Sequence, residues 1–154
     1  MRIVVAVVGK PRDAALAAAI REYETRAARY WPVEFKDVRE ESGRSLPAQQ
    51  VRERESERLV AALPAGAHVV ACELGGVAMT SEEFAKWLQQ RREQAKDVAF
   101  MIGGAHGLGE AARRVASTRL SLAPWTLPHE IARLVLAEQL YRAGTIVRRE
   151  PYHK

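Results

Sequence analysis

Cysteine is almost absent from this chain: Cys72 stands alone in 154 residues. A single thiol excludes an intrachain disulfide and leaves a cysteine-based metal site without partners, so no metal is expected. Long apolar runs are missing as well. The first, Ile3–Val8, has six residues, against the ~18 of a membrane span. No signal-peptide cleavage pattern follows it. The expectation is a cytoplasmic protein without membrane contact, built as one domain over residues 1–154. Lysine is scarce, at 5 against 19 arginines, and the formal net charge is +5. Arginine forks suit phosphate, yet codon usage in a GC-rich genome would give the same bias. Charge alone decides little.

What is present is an alternation. Arg2–Val8 reads as a buried strand ending at Gly9. Asp13 then caps a helix to about Tyr30, with Leu16, Ile20, Tyr23, Ala27 and Tyr30 along one face. Val33–Arg39 reads as a second strand, followed by the polar loop EESGRSLP. Ala48–Leu63 reads as a charged helix whose RERESER run pairs charges on a solvated surface. His68–Leu74 is a third strand, with Gly75-Gly76 as a turn. Thr80-Ser81-Glu82-Glu83 opens a helix with a capping box. Asp97–Ile102, a short helix Glu110–Ser117, a strand Arg119–Ala123 and a final helix from His129 complete the series. Such alternation predicts an α/β fold with a mainly parallel sheet and helices on both faces. Ligands then bind at the carboxyl ends of the strands.

The loops at those ends carry the chemistry. Gly103-Gly104-Ala105-His106-Gly107-Leu108-Gly109 places four glycines in seven residues, so backbone can approach a ligand and the next helix offers free N–H groups. No Gly-Lys-Ser/Thr ending is present, which excludes a P-loop. Only Gly9 follows the first strand, which weakens a dinucleotide fingerprint. A tight structural turn or a loop receiving adenosine remain as readings. Ala123-Pro124-Trp125-Thr126-Leu127-Pro128 is nearly uncharged and braced by prolines, a wall suited to a nucleoside or a methylsulfonium, although Trp125 alone reads better as core.

In the last helix, Glu138 and Arg142 fall within the arc of Ile131, Leu134 and Val135. A charged pair in an apolar face reads as a structural ion pair or as the orderer of a site at a subunit interface. His129 and Arg133 make a second pair at the same spacing. The chain ends Arg148-Arg149-Glu150-Pro151-Tyr152-His153-Lys154, which gathers cations, an aromatic ring and an imidazole. Fraying is the default for a terminus.

Taken together, Ile102-Gly103-Gly104, Leu127-Pro128-His129, Glu138-Gln139-Leu140-Tyr141-Arg142-Ala143 and Pro151-Tyr152-His153-Lys154 resemble the RlmH family of ribosomal RNA methyltransferases, in the SPOUT superfamily. Val5-Ala6-Val7-Val8-Gly9 and Ile20-Arg21-Glu22-Tyr23 extend the likeness over the whole chain. The resemblance implies a C-terminal trefoil knot, a homodimer, and S-adenosyl-L-methionine bent into the knot. It implies cofactor contacts at Cys72, Gly103, Gly104 and the loop Ala123, Pro124, Trp125, Thr126, Leu127, Pro128. Cys72 stands where the family would place an aliphatic residue, and Pro124-Trp125 is bulkier than expected, so backbone contacts carry over best. The implied substrate is 23S rRNA in the assembled ribosome, at a pseudouridine (position 1915) of helix 69, methylated at N3.

A sulfonium already activates its methyl group, so the remaining tasks are alignment and removal of the N3 proton. Tyr152 is expected to stack on the base and His153 to take or relay the proton. Arg142, held by Glu138, and Arg133 would fix phosphate or base carbonyls, with His129, Arg148, Arg149 and Lys154 adding RNA contacts. Cys72 is not expected as a nucleophile. Rival readings are a sister enzyme acting on transfer RNA, a non-catalytic RNA-binding assembly factor and, already weakened, a dinucleotide-binding reductase.

Overall fold

The computed structural model describes residues 1–42 and 45–154; Gly43 and Arg44 of the expected polar loop lie outside them. The order is β1 (Ile3–Val8), α1 (Ala14–Ala27), β2 (Val33–Val38), α2 (Ala48–Ala61), β3 (His68–Ala78), α3 (Ser81–Glu93), β4 (Val98–Ile102), α4 (Glu110–Val115), β5 (Thr118–Ser121) and α5 (His129–Val147). The strands form one sheet in the order β2-β1-β4-β3-β5, with every neighbouring pair parallel.

Successive side chains on a strand point to opposite faces, and the core follows that period. Ile3, Val5 and Val7 of β1 join Val98, Phe100 and Ile102 of β4 under α1, α3 and α5, with Leu88, Leu136 and Leu140. Ala6, Val8 and Met101 turn the other way to meet Leu59 of α2 and Ala112 of α4. Trp31, 1% exposed, fills the end of α1 and donates its indole N–H to the Leu140 carbonyl at 2.8 Å. That bond removes the penalty of burying the ring's polar atom.

Local chemistry sets the helix starts. Asp13 accepts from the Leu16 N–H at 2.9 Å. Thr80 and Glu83 complete the capping box through bonds of 3.1 and 2.7 Å. Pro128 takes the N-cap position of α5, where its missing N–H has no helical partner to lose.

Four expectations are corrected. Gly75-Gly76 is no turn: β3 runs through it to Ala78, and Leu120 pairs with both Cys72 and Val77 across a bulge. A Cβ on Gly76 would lie 2.6 Å from the Arg119 and Leu120 backbone, so the bulged tract requires glycine there. The RERESER helix is no solvated surface, because Glu55 is 3% exposed and Ser56 is fully buried. The apolar arc of α5 is only half-buried; the buried side is Ala132, Arg133, Leu136, Ala137, Leu140 and Ala143. Finally, α4 ends at Val115 and β5 spans only Thr118–Ser121, both shorter than expected.

Candidate functional site

At the carboxyl ends of β3, β4 and β5 the chain encloses a cavity of about 570 Å³, within the usual range for a small-molecule site. Cys72, Gly103, Gly104, Ala123, Trp125, Thr126, Leu127, Pro128 and His129 border it, and Pro124 does not. Trp125 is 78% exposed, which excludes the core reading. Gly103 lets the loop fold onto itself: a Cβ there would stand 2.7 Å from the Gly107 carbonyl carbon. The Gly107 N–H closes that turn on the Gly104 carbonyl at 3.0 Å.

The free N–H groups expected at the start of α4 are taken. Gly109 N–H donates to Ser56 Oγ at 2.8 Å, Glu110 N–H to Glu53, and Ala111 N–H to Glu53 at 3.3 Å. Here α2 reaches across to cap α4, which leaves that helix end unable to serve a ligand. It is the reason the RERESER run is partly buried.

Sequence reading missed the charged wall of the cavity. Glu73, beside Cys72 on β3, and Arg113 of α4 both border it. Glu73 accepts from Arg113 Nε at 2.6 Å and from Arg119 Nε at 2.5 Å. Burial pushes the Glu73 carboxyl up, but the bonds and charges of the two guanidiniums outweigh burial and hold it below the usual carboxylate range. It stays ionised with its lone pairs engaged. Burial pushes the Cys72 thiol up to about 12, helped by Glu73, so it remains protonated and unreactive near neutral pH. His129 is the one imidazole on the cavity wall.

A second cluster forms around the C-terminal residues, which are ordered. The Arg149 N–H donates to the Ile146 carbonyl and the Glu150 N–H to Thr145, while Arg149 takes φ +57°. This Schellman closure turns the chain back along α5. Tyr30 donates its hydroxyl to Glu150. Tyr152 packs on Tyr141 with ring centroids 4.5 Å apart and donates its hydroxyl to Glu138 Oε1 at 3.0 Å. Burial raises the Tyr152 pKa, and bonds to Tyr23 and Glu138 add to it, which keeps the phenol neutral. Arg142 binds the same Glu138 oxygen at 2.6 Å and lies 4.8 Å from the Tyr152 ring centre. His153 Nε2 meets Glu82 at 2.8 Å.

Structure therefore brings Glu138, Arg142, Tyr152 and His153 near one another, but none of them borders the cavity of its own chain. Arg148, Arg149 and Lys154 are exposed close by. Arg133 is elsewhere: 6% exposed, it holds Glu24 at 2.7 Å and Asp37 at 2.5 Å. Its guanidinium ties α5 to α1 and β2, which corrects the expectation that it reaches RNA.

Residues 1–153 match the family described as "Predicted SPOUT methyltransferase". The chain is 67% identical over 154 residues to the ribosomal RNA large subunit methyltransferase H of Gemmatimonas aurantiaca, with each chain fully covered. It is 42% identical to the enzyme of that name from Geobacter sp. strain M21, over 99% of both. A solved structure of a probable rRNA-methyltransferase from Porphyromonas gingivalis shares the fold at TM-score 0.52 and 16% identity, covering 96% of this chain and 69% of that one. A parallel sheet with a glycine-walled cavity at its strand ends, matched along its length by such relatives, belongs to the SPOUT methyltransferases and, within them, to the ribosomal RNA large subunit methyltransferase H family.

Proposed function

We propose that the chain, as a single domain with a C-terminal trefoil knot, transfers a methyl group from S-adenosyl-L-methionine to N3 of the pseudouridine at position 1915, in helix 69 of 23S rRNA. It acts as a homodimer on assembled ribosomes in the cytoplasm, without a metal. The cavity is the observation that carries this reading: its volume, glycine backbone and uncharged proline loop suit an adenosine and a sulfonium. Relatives named for large-subunit rRNA methylation over the full chain support the substrate.

Gly103, Gly104, Ala123, Trp125, Thr126, Leu127 and Pro128 would hold the cofactor, which supplies an electrophilic methyl group and needs only to be aligned with N3. Cys72 and Glu73 of the cavity wall are poor proton acceptors, which leaves two imidazoles for the role, His129 on the wall and His153 of the C-terminal cluster. His153 takes that role, with Tyr152 stacking on the base and Arg142, oriented by Glu138, binding its carbonyls. Because this cluster stands apart from the cavity of its own chain, it serves the cavity of the partner. Leu74 and Val77, each more than half exposed, and the half-buried Ile131, Leu134 and Val135 of α5 supply an apolar face for a second copy. Arg148, Arg149 and Lys154 bind the RNA backbone.

Mapping modified nucleosides in ribosomes from a strain lacking the gene tests the proposal. N3-methylation of that pseudouridine should disappear and return on complementation. Loss of a transfer RNA methyl group instead would move the chain to a sister activity.

A further inference from the structure

Two arginines share one buried carboxylate at the cavity, and each meets it with only part of its donor fork. Glu73 carries a side chain only 8% exposed, while the side chains of Arg113 and Arg119 are about half exposed. Both guanidiniums meet Glu73 through Nε, so the Nη ends of both forks remain for another acceptor. Arg113 Nη1 reaches Glu110 only at 3.5 Å, on a carboxylate 70% exposed, a geometry of little worth in water. The ionised Glu73 fixes both guanidiniums through Nε and leaves the Nη end of Arg113 beside the cavity, with only the exposed Glu110 carboxylate near it among the described residues.

Among the described residues, Arg113 is the one guanidinium that lines the cavity, and Glu73 the one carboxylate. The remaining walls are backbone, apolar side chains, a thiol, a hydroxyl and an imidazole. On the cofactor reading, the ligand filling this space is an adenosyl sulfonium, whose one anionic group is the carboxylate at the end of its amino-acid arm. We propose that Arg113, positioned by Glu73 and backed by Arg119, is the carboxylate-binding residue of the cavity, taking the α-carboxylate of the amino-acid arm of the adenosyl cofactor. This rests on the cofactor reading above. Arg113 contributes a charge-assisted bond of the kind that guanidinium forks make best, and Arg119 raises the local potential without lining the cavity. Sequence reading could not find the trio, because its members lie 40 and 46 positions apart.

Calorimetry with two ligands tests the assignment: S-adenosylhomocysteine, and 5′-methylthioadenosine, which keeps the nucleoside and thioether but lacks the amino-acid arm. The wild type should prefer S-adenosylhomocysteine. Arg113→Gln should weaken that ligand about tenfold, the value of one charge-assisted bond, and leave methylthioadenosine within about twofold. Arg113→Lys, which keeps the charge but not the fork, should fall between and serves if the glutamine variant is unfolded. Equal weakening of both ligands would assign Arg113 to the packing of α4 on β3 and overturn the proposal. So would unchanged ligand affinity with weakened rRNA binding, which would make the cluster a phosphate site. A wild type that binds both ligands equally removes this assignment alone; one that binds neither removes the cofactor reading with it.

Discussion

The cavity and the C-terminal cluster are built by opposite means. Around the cavity, Gly103, Gly104 and most of the 123–128 loop form much of the wall, and the other side chains are mostly small or apolar, with Glu73 and Arg113 as the charged pair. Around Glu138 the contacts are made by side chains from α5 and from the returning C-terminal residues: two rings, a guanidinium and a carboxylate, with the His153 imidazole beside them on Glu82. A backbone wall tolerates side-chain exchange but not bulk. A side-chain cluster tolerates bulk poorly and charge exchange worse. On the proposed function, the first region binds and the second handles the proton, so damage to each should register in a different measurement.

Removing Pro151–Lys154 should break the comparison most visibly. Single-turnover methylation of ribosomes should fall by about 10³-fold or more, since both the proton acceptor and the stacking ring are lost. S-adenosylhomocysteine affinity should hold, because the cavity keeps every wall residue. His153→Gln should cost about 10²-fold, and His129→Gln far less. Reversal of that order would move the general base to the cavity wall.

Gly103→Ala attacks the other region. The added methyl would press on the Gly107 carbonyl carbon, and overpacking of this kind costs about 1–3 kcal/mol. Cofactor affinity should drop about 10–100-fold, while near-ultraviolet circular dichroism of the Tyr152–Tyr141 pair stays unchanged. Intact affinity would mean that the loop has slack and does not form a rigid wall.

Where the fold followed local chemistry, sequence was sufficient. The short apolar run Ile3–Val8, the Asp13 cap and the Thr80–Glu83 box each act within a few residues. Where distant partners decide, it was not. Gly75-Gly76 has the composition of a turn, but pairing of Val77 with Leu120 pulls it into β3. Glu53 and Ser56 look like members of a solvated run until the N–H groups of α4, more than fifty residues on, need acceptors. The glycine and proline loops were legible as walls because backbone chemistry is written in residue type. Arg133 was misjudged because its partners, Glu24 and Asp37, lie on other elements.

Glu55 sharpens the boundary of the cavity region. One oxygen accepts from the Glu41 N–H at 3.1 Å; the other is buried with no partner among the described residues and stands 3.0 Å from where a Cβ on Gly104 would be. Burial raises the carboxyl pKa, and the Glu41 bond opposes it only in part. The unfolded chain releases this proton near the ordinary value of 4.5, whereas the folded chain holds it to higher pH. Folded protein therefore binds more protons above that value, and stability declines as pH rises through the window. Glu55→Gln should remove this decline, so its melting temperature should gain on the wild type as pH is raised from 4.5 toward neutrality. Parallel curves would mean that the carboxyl ionises freely.

The smallest effect belongs to the turn that returns the chain along α5. Arg149 holds φ +57° at the position where a Schellman closure favours glycine, and a side chain there costs about 1 kcal/mol. Arg149→Gly relieves that strain, although the freer unfolded chain takes back roughly half of it. The melting temperature should rise by about 1–2 °C. The same change deletes a cation from the face proposed to meet RNA, so rRNA affinity should weaken and its salt dependence lose about one counterion. A variant that gains stability and loses affinity would explain why arginine occupies a glycine position: the turn carries strain so that the charge can stand beside the substrate. Gain of stability with unchanged RNA binding would leave Arg149 as strain without a use and restrict the RNA face to Arg148 and Lys154.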